Sequence, residues 1–193
     1  MRDIVFLKSA YQESHYPPPD KPEIAFAGRS NVGKSSLINC LVNRRGLAKT
    51  SSKPGRTQAI NFFCVDNRFY MVDLPGYGYA RVPLPVKRSW GKMVETYLRK
   101  RSNLKAVVVI LDIRRDPNAG DRELLDWLRH FGIQAIIVLT KADKLSRQQC
   151  ISRAKSIRGR LAEFTSEGPL VHSSKTRQGR EDIWEKVDRV IDL

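Results

Sequence analysis

The sequence predicts an α/β protein with three layers. A mostly parallel six-stranded sheet with one antiparallel edge strand lies between helices on both faces. Three observations carry that expectation. Residues 106–111 and 135–139, the latter within a strand read over 134–139, are unbroken apolar runs, as strands of a parallel sheet covered on both faces require. Strand-like and helix-like segments alternate along the chain, the order that covers both faces of a sheet. Asp66-Asn67-Arg68 divides two strand-like runs with a tight hairpin signal, which turns one strand against the rest.

The elements follow in order. Residues 1–22 read as an N-terminal extension, with a short apolar stretch at 4–7 and then Tyr16-Pro17-Pro18-Pro19, a stiff extended lead-in. Residues 23–193 read as one domain, and 193 residues suffice for that. A strand at 24–27 feeds a helix at 35–42 through a glycine-containing loop. Residues 43–59, rich in Gly, Ser and Lys, form a loop long enough to mark a functional segment. Strands at 60–66 and 69–72 make the hairpin. Residues 77–85 are a second loop, and 86–101 a helix with Trp90, Val94, Tyr97 and Leu98 on one side. After the strand at 106–111 come a loop at 112–117 and a helix at 121–131. The strand at 134–139, a helix at 146–164, a strand at 169–172 and a helix at 179–191 complete the chain. No segment repeats.

Gly28-Arg29-Ser30-Asn31-Val32-Gly33-Lys34-Ser35 fits G-x-x-x-x-G-K-[ST] between a strand and a helix start. That order builds a phosphate cradle, because backbone N–H groups and the positive end of the helix dipole converge on one point. Lys34 is placed to reach the β- and γ-phosphates, and the Ser35 hydroxyl to ligate Mg²⁺. The fold class thereby narrows to a three-layer P-loop nucleoside triphosphatase. Downstream, the strand at 134–139 delivers Thr140-Lys141-Ala142-Asp143 at its C-terminal end, where ligands sit in open α/β sheets. A carboxylate there accepts from guanine N1–H and its amino group, and a site built on such bonds discriminates by ~10⁴–10⁵. Lys141 can lay its aliphatic stem on the purine face.

The strand ending in Asp73-Leu74-Pro75-Gly76 offers a carboxylate to the Mg²⁺ shell through water and a glycine N–H to the γ-phosphate. Thr57, in the loop that holds Gly55, Arg56, Gln58 and Ala59, is the candidate hydroxyl that closes on Mg²⁺ in the triphosphate state. His172 leads into Ser173, Ser174 and Lys175, a polar turn suited to bonding guanine O6 through backbone N–H groups.

These five segments, in this order, resemble the nucleotide motifs of small GTPases over nearly the whole chain. Gly-Arg-Ser-Asn-Val-Gly-Lys-Ser-Ser, Pro-Gly-Arg-Thr-Gln, Asp-Leu-Pro-Gly-Tyr-Gly-Tyr-Ala and Thr-Lys-Ala-Asp-Lys-Leu are similar to the EngB (YihA/YsxC) family. The resemblance implies a G domain with switch I at about 43–59 and switch II at about 73–86. It implies a Mg²⁺-dependent GTPase that binds GTP and GDP, assists assembly of the large ribosomal subunit and is tied to cell division. Ribosomal RNA and large-subunit precursors are the implied partners. Lys34, Thr57 and Gly76 are the implied catalytic groups. The Ras pattern has a glutamine where this chain has Tyr77, and a phenol cannot orient water as a carboxamide does. Similar GTPases use K⁺ there, held partly by an asparagine at the position of Asn31, although Asn31 also suits a plain turn. Arg29 and Arg56 are candidate charge donors. Slow intrinsic turnover accelerated by the ribosome is expected. Two other readings stay open: a GTPase of another translation or RNA-modification pathway, and a nucleotide-dependent scaffold with negligible hydrolysis.

Bulk properties agree. Thirty-five Lys and Arg against twenty Asp and Glu give +15, a charge that attracts polyanions. The cations are spread rather than run together, which suits a broad phosphate-contacting face. No apolar stretch reaches about 18 residues, and no lipidation or signal-peptide pattern is visible, so no membrane partner is expected. Cys40, Cys64 and Cys150 are scattered, and neither a disulfide framework nor a zinc site follows from them. A cytoplasmic monomer is the expectation.

Overall fold

The computed structural model describes residues 2–44, 46–47, 59–78 and 84–192. Seven strands form one sheet: β1 (Ile4–Ala10), β2 (Glu23–Gly28), β3 (Ile60–Val65), β4 (Phe69–Asp73), β5 (Leu104–Asp112), β6 (Gln134–Thr140) and β7 (Leu170–Val171). Their order is β1-β3-β4-β2-β5-β6-β7. The helices are α1 (Lys34–Leu41), α2 (Leu84–Lys100), α3 (Ala119–His130), α4 (Arg147–Arg160) and α5 (Arg180–Ile191), with short 3₁₀ turns at Glu13–His15 and Ala142–Lys144.

The expected count of six strands becomes seven because Ile4–Ala10 is itself a strand, antiparallel to β3 and lying outside it. β3 is antiparallel to both its neighbours, and the β2, β4, β5, β6 and β7 pairings are parallel. The turn between β3 and β4 has Asp66 at φ 49° and Asn67 at φ 52°. Both residue types tolerate that left-handed backbone, and two such residues match the right-handed twist of a hairpin.

Two apolar layers sandwich the sheet. One side of β2, β4 and β5 packs with Val94, Tyr97, Leu124, Leu128 and Ile157 of α2, α3 and α4. The other packs with Leu37, Ile38, Ile183, Trp184 and Val187 of α1 and α5. β2 is buried at every residue, the signature of a central parallel strand. Boundaries shift in physically readable ways. α2 begins at Leu84, two residues early, because Pro85 is tolerated in a first turn where N–H groups have no helical partner. α3 begins at Ala119, where Asn118 and Asp121 cap each other's backbone N–H. α4 stops at Arg160, and Leu161 folds down into the core instead of continuing the helix to 164.

Candidate nucleotide site

β2 and β4 lie side by side, so their C-terminal ends release the loop at 28–35 and the segment at 73–77 together. Leu74 N–H bonds Phe26 O at 3.0 Å, Tyr77 N–H bonds Gly28 O at 3.3 Å, and Ser30 N–H bonds Tyr77 O at 2.8 Å. Arg29 and Tyr77 therefore pair as a short parallel bridge, and the two segments are stitched by backbone. Gly76 lies so close that an added Cβ would stand 3.4 Å from Ser30 N. Gly28 is needed for a different reason: its Cβ would stand 2.9 Å from a Val32 methyl and 3.0 Å from Ile110 O.

Within the loop, Asn31 is exposed with φ 61°, and Gly33 with φ 107° caps α1, so Lys34 and Ser35 open that helix. Lys34 Nζ pairs with Asp73 Oδ1, and both side chains are largely buried. The loop is braced from behind. Thr140 Oγ1 lies 2.6 Å from Val32 O and 3.1 Å from Leu111 O, so its hydroxyl ties β6 to the loop. Lys141, at φ 64°, donates to Asn31 O at 2.7 Å and to Asp112 Oδ2 at 3.0 Å. Burial alone would raise the Asp112 pKa, but the Arg114 guanidinium and Lys141 ammonium outweigh it and hold this carboxyl well below the usual range.

The candidate base-reading end is built from two strand ends. Ala142 N–H bonds His172 O at 3.1 Å, which joins the turn after β6 to the turn after β7. Asp143 Oδ1 accepts from Ser173 Oγ at 2.8 Å, and this hydroxyl, with Lys144, keeps its pKa below the ordinary carboxylate value. Ser173 N–H is bonded to Gln178 O at 3.2 Å, so the Ser173 amide of that turn is already engaged. His172 is fully buried, and burial lowers its pKa, so the imidazole is neutral at pH 7. Gly179 closes the turn at φ 71°, where a Cβ would stand 2.1 Å from Val171 O.

The structure thus gathers Gly28, Arg29, Ser30, Asn31, Val32, Gly33, Lys34, Ser35, Asp73, Leu74, Pro75 and Gly76 at one end of the sheet. Thr140, Lys141, Ala142, Asp143, His172 and Ser173 stand together at the neighbouring strand ends. Gly55, Arg56, Thr57 and Gln58 lie outside the described residues; Ala59 immediately precedes β3.

Three features escape sequence reasoning. Tyr77 is buried, and its hydroxyl donates to Asp121 Oδ1 at 2.7 Å, so the ring points into α3 rather than toward the loop. Burial first, and then Asp121, push the phenol pKa well above its usual value. The Ser30 hydroxyl is buried and makes no hydrogen bond with the described residues. Beside the loop, a cleft of about 250 Å³ is lined by Arg29, Asn31, Asp112, Arg115, Asp121 and Lys141. Only the Asn118-x-x-Asp121 capping pattern could have been read from sequence. No helix among the described residues is long and apolar enough to cross a membrane.

Comparison with known proteins agrees with this geometry. The family model described as "50S ribosome-binding GTPase" matches residues 23–141. A probable GTP-binding protein EngB of Geotalea daltonii is 53% identical over 188 residues, covering 97% of this chain and 90% of its own. One of Syntrophus aciditrophicus is 56% identical over 184 residues, covering 95% and 93%. The crystal structure of a probable GTP-binding protein engB superposes with a TM-score of 0.69 at 25% identity, covering 88% of this chain and 98% of that one. Loop, strand-end carboxylates and relatives converge: this chain belongs to the EngB family of GTP-binding proteins and is a GTPase with the P-loop G-domain fold.

Proposed function

We propose that this GTPase is a guanine-nucleotide switch in assembly of the large ribosomal subunit, and that normal division and septation depend on it. One observation supports the switch: Ser30 and Gly28 are bonded to Tyr77, so the segment after Asp73 is joined directly to the loop that would hold the phosphates. The partner follows from the family's description as 50S ribosome-binding and from the +15 charge. Switch I at about 43–59 and switch II at about 73–86 are the segments that respond.

Each residue has a task. Asp143, oriented by the Ser173 hydroxyl, reads guanine, and Lys141 ties the base-reading turn to the loop through Asn31 O. Lys34 leaves Asp73 and takes the β- and γ-phosphates, while loop N–H groups and Gly76 N–H surround the phosphate oxygens. The donors fit Mg²⁺, which prefers oxygen and is usually held by one or two carboxylates with substrate phosphates: Ser35, Thr57 and, through water, the buried Asp73 carboxylate. When bound, that ion would neutralise charge that develops on the phosphates. The phenol of Tyr77 is engaged with Asp121, so water orientation falls to the loop, where Asn31 would help hold K⁺. The Ser30 hydroxyl, unpartnered among the described residues, is a further donor on that side. The protein works as a monomer in the cytoplasm.

Single-turnover GTP hydrolysis with and without purified large subunits tests this reading. A slow rate raised tenfold or more by the subunits is expected. An unaltered rate rules out ribosome-stimulated hydrolysis, and no turnover in either arm makes the protein a nucleotide-dependent scaffold.

A further inference from the structure

We propose that the outward face of α4 is an anchor for the phosphate backbone of RNA, and that its grip is independent of the bound nucleotide. The proposal rests on the reading of ribosomal RNA as partner and adds the face that meets it.

α4 carries Arg147, Arg153, Lys155, Arg158 and Arg160 and no Asp or Glu. Two of these cations turn inward along the surface: Arg153 and Arg160 both pair with Asp116, at 2.9 and 3.4 Å. The others, Arg147, Lys155 and Arg158, are exposed and form no ion pair among the described residues. Neighbouring helices differ. On α3, Arg122 pairs with Glu163 and Arg129 with Asp126; on α5, Lys186 pairs with Glu167 and Arg189 with Glu185. The basic character of α4's outer face is therefore not neutralised locally.

Spacing makes it a surface rather than a scatter. At about 100° per residue, positions 147, 151, 155 and 158 fall within an arc of about 80°, and they span roughly 16 Å along the axis. Ile151 sits in the middle of them, 63% exposed. Three unpaired cations spread over that length can reach several phosphates of one backbone, and arginine forks bind phosphate oxygens in pairs. A protein partner fits poorly, since protein interfaces rest on anchors packed in an apolar core, and the apolar part of this face is the one aliphatic side chain of Ile151. Ile151 instead has room to lie against ribose carbons between phosphate contacts.

Nucleotide independence follows from placement. α4 lies outside residues 43–59 and 73–86. Cys150 and Ile157 fix it in the core, the Ser146–Gln149 capping box fixes its start, and Asp116 fixes one flank. None of these anchoring residues lies in 43–59 or 73–86.

The test is a triple variant, Arg147→Gln with Lys155→Gln and Arg158→Gln. Its control removes the same charge elsewhere on exposed, unpaired positions: Lys8→Gln, Arg99→Gln and Lys105→Gln. Affinities for a ribosomal RNA duplex and for purified large subunits are measured across a salt series, with GDP and with a non-hydrolysable GTP analogue. Three lost phosphate contacts predict RNA affinity down by about a hundredfold near 0.1 M salt, and a log K against log salt slope shallower by about 2 to 3. The loss should be equal with both nucleotides, and under tenfold in the control. GTP hydrolysis without RNA and the melting temperature should match the native chain. A triple variant no weaker than the control, or a loss confined to one nucleotide state, overturns the proposal. Polyglutamate binding as tightly as RNA assigns the face to an acidic protein instead. Native protein that binds no RNA fells the ribosomal reading itself, whereas native binding left intact in the triple variant fells only this face.

Discussion

Tyr77→Phe removes one oxygen and tests what the tyrosine after the Asp-x-x-Gly segment does. The hydroxyl it deletes donates to Asp121 at 2.7 Å, between residues only 5% and 3% exposed. A hydrogen bond to a charged group contributes about 1.5–3 kcal/mol. Asp121 keeps its bond from Asn118 N–H at 2.9 Å, so its carboxylate is not left bare, and about 2 kcal/mol is the expected loss. For a chain of this length that lowers Tm by about 4–8 °C. Because the hydroxyl faces α3, single-turnover hydrolysis should stay within about threefold of native. Tyr77→Ala also opens a cavity and should cost about 3–5 kcal/mol. The pH dependence has a definite sign. The folded phenol pKa is raised, while the unfolded phenol ionises near 10, so above pH 10 the unfolded state sheds a proton that the folded state keeps. The stability this group contributes is present below pH 10 and lost as pH rises beyond it, so the gap between native and Tyr77→Phe should narrow there. Calorimetry at pH 7 and 10.5 with hydrolysis assays reads all three quantities. An unchanged Tm with hydrolysis reduced a hundredfold would refute the anchoring role and return the hydroxyl to the reaction.

Asp143→Asn should weaken GTP binding by more than a hundredfold and admit xanthosine triphosphate, whose 2-oxo group seeks a donor, while Ser173→Ala should weaken GTP by about tenfold. Equal native affinities for ATP and GTP, measured by titration calorimetry, would sink the base assignment. Gly179→Ala, with its Cβ 2.1 Å from Val171 O and φ 71°, should lower stability by more than about 2 kcal/mol and GTP affinity with it, since the backbone it strikes leads into Ser173. A variant that melts and binds as native does would show that this turn yields freely. Replacing K⁺ by Na⁺ should slow hydrolysis, and Asn31→Ala should abolish the difference; identical rates in both salts remove the potassium role and shift attention to Arg29, Arg56 or Ser30.

What sequence revealed and what it hid divide along chain distance. The loop at 28–35, Asp73 and Asp143 are legible because each chemistry is written in contiguous residues at a strand end. The β3–β4 hairpin is legible because Asp66 and Asn67 declare their backbone. β1 was not, since Val5, Phe6, Leu7 and Lys8 are all exposed, a bulge interrupts its register, and its partner strand starts at Ile60. Period-two alternation, the usual strand signal, never forms there. Tyr77 with Asp121, and Asp112 with Lys141, are pairs that only folding creates. Sequence placed Tyr77 at the glutamine position; burial turns its ring the other way. Pro85 looked like a loop residue because proline breaks helices in their interiors but not in their first turns.

Affinity of the protein for large-subunit particles, measured with GDP and with a non-hydrolysable GTP analogue at two salt concentrations, tests the switch most directly. In the proposed switch, γ-phosphate and Mg²⁺ would order residues 43–59 and 73–86 with their basic flanks, so less entropy would be lost on docking. The account predicts tighter binding with the analogue, and weaker binding in both states as salt rises. Equal affinities with the two nucleotides would contradict it.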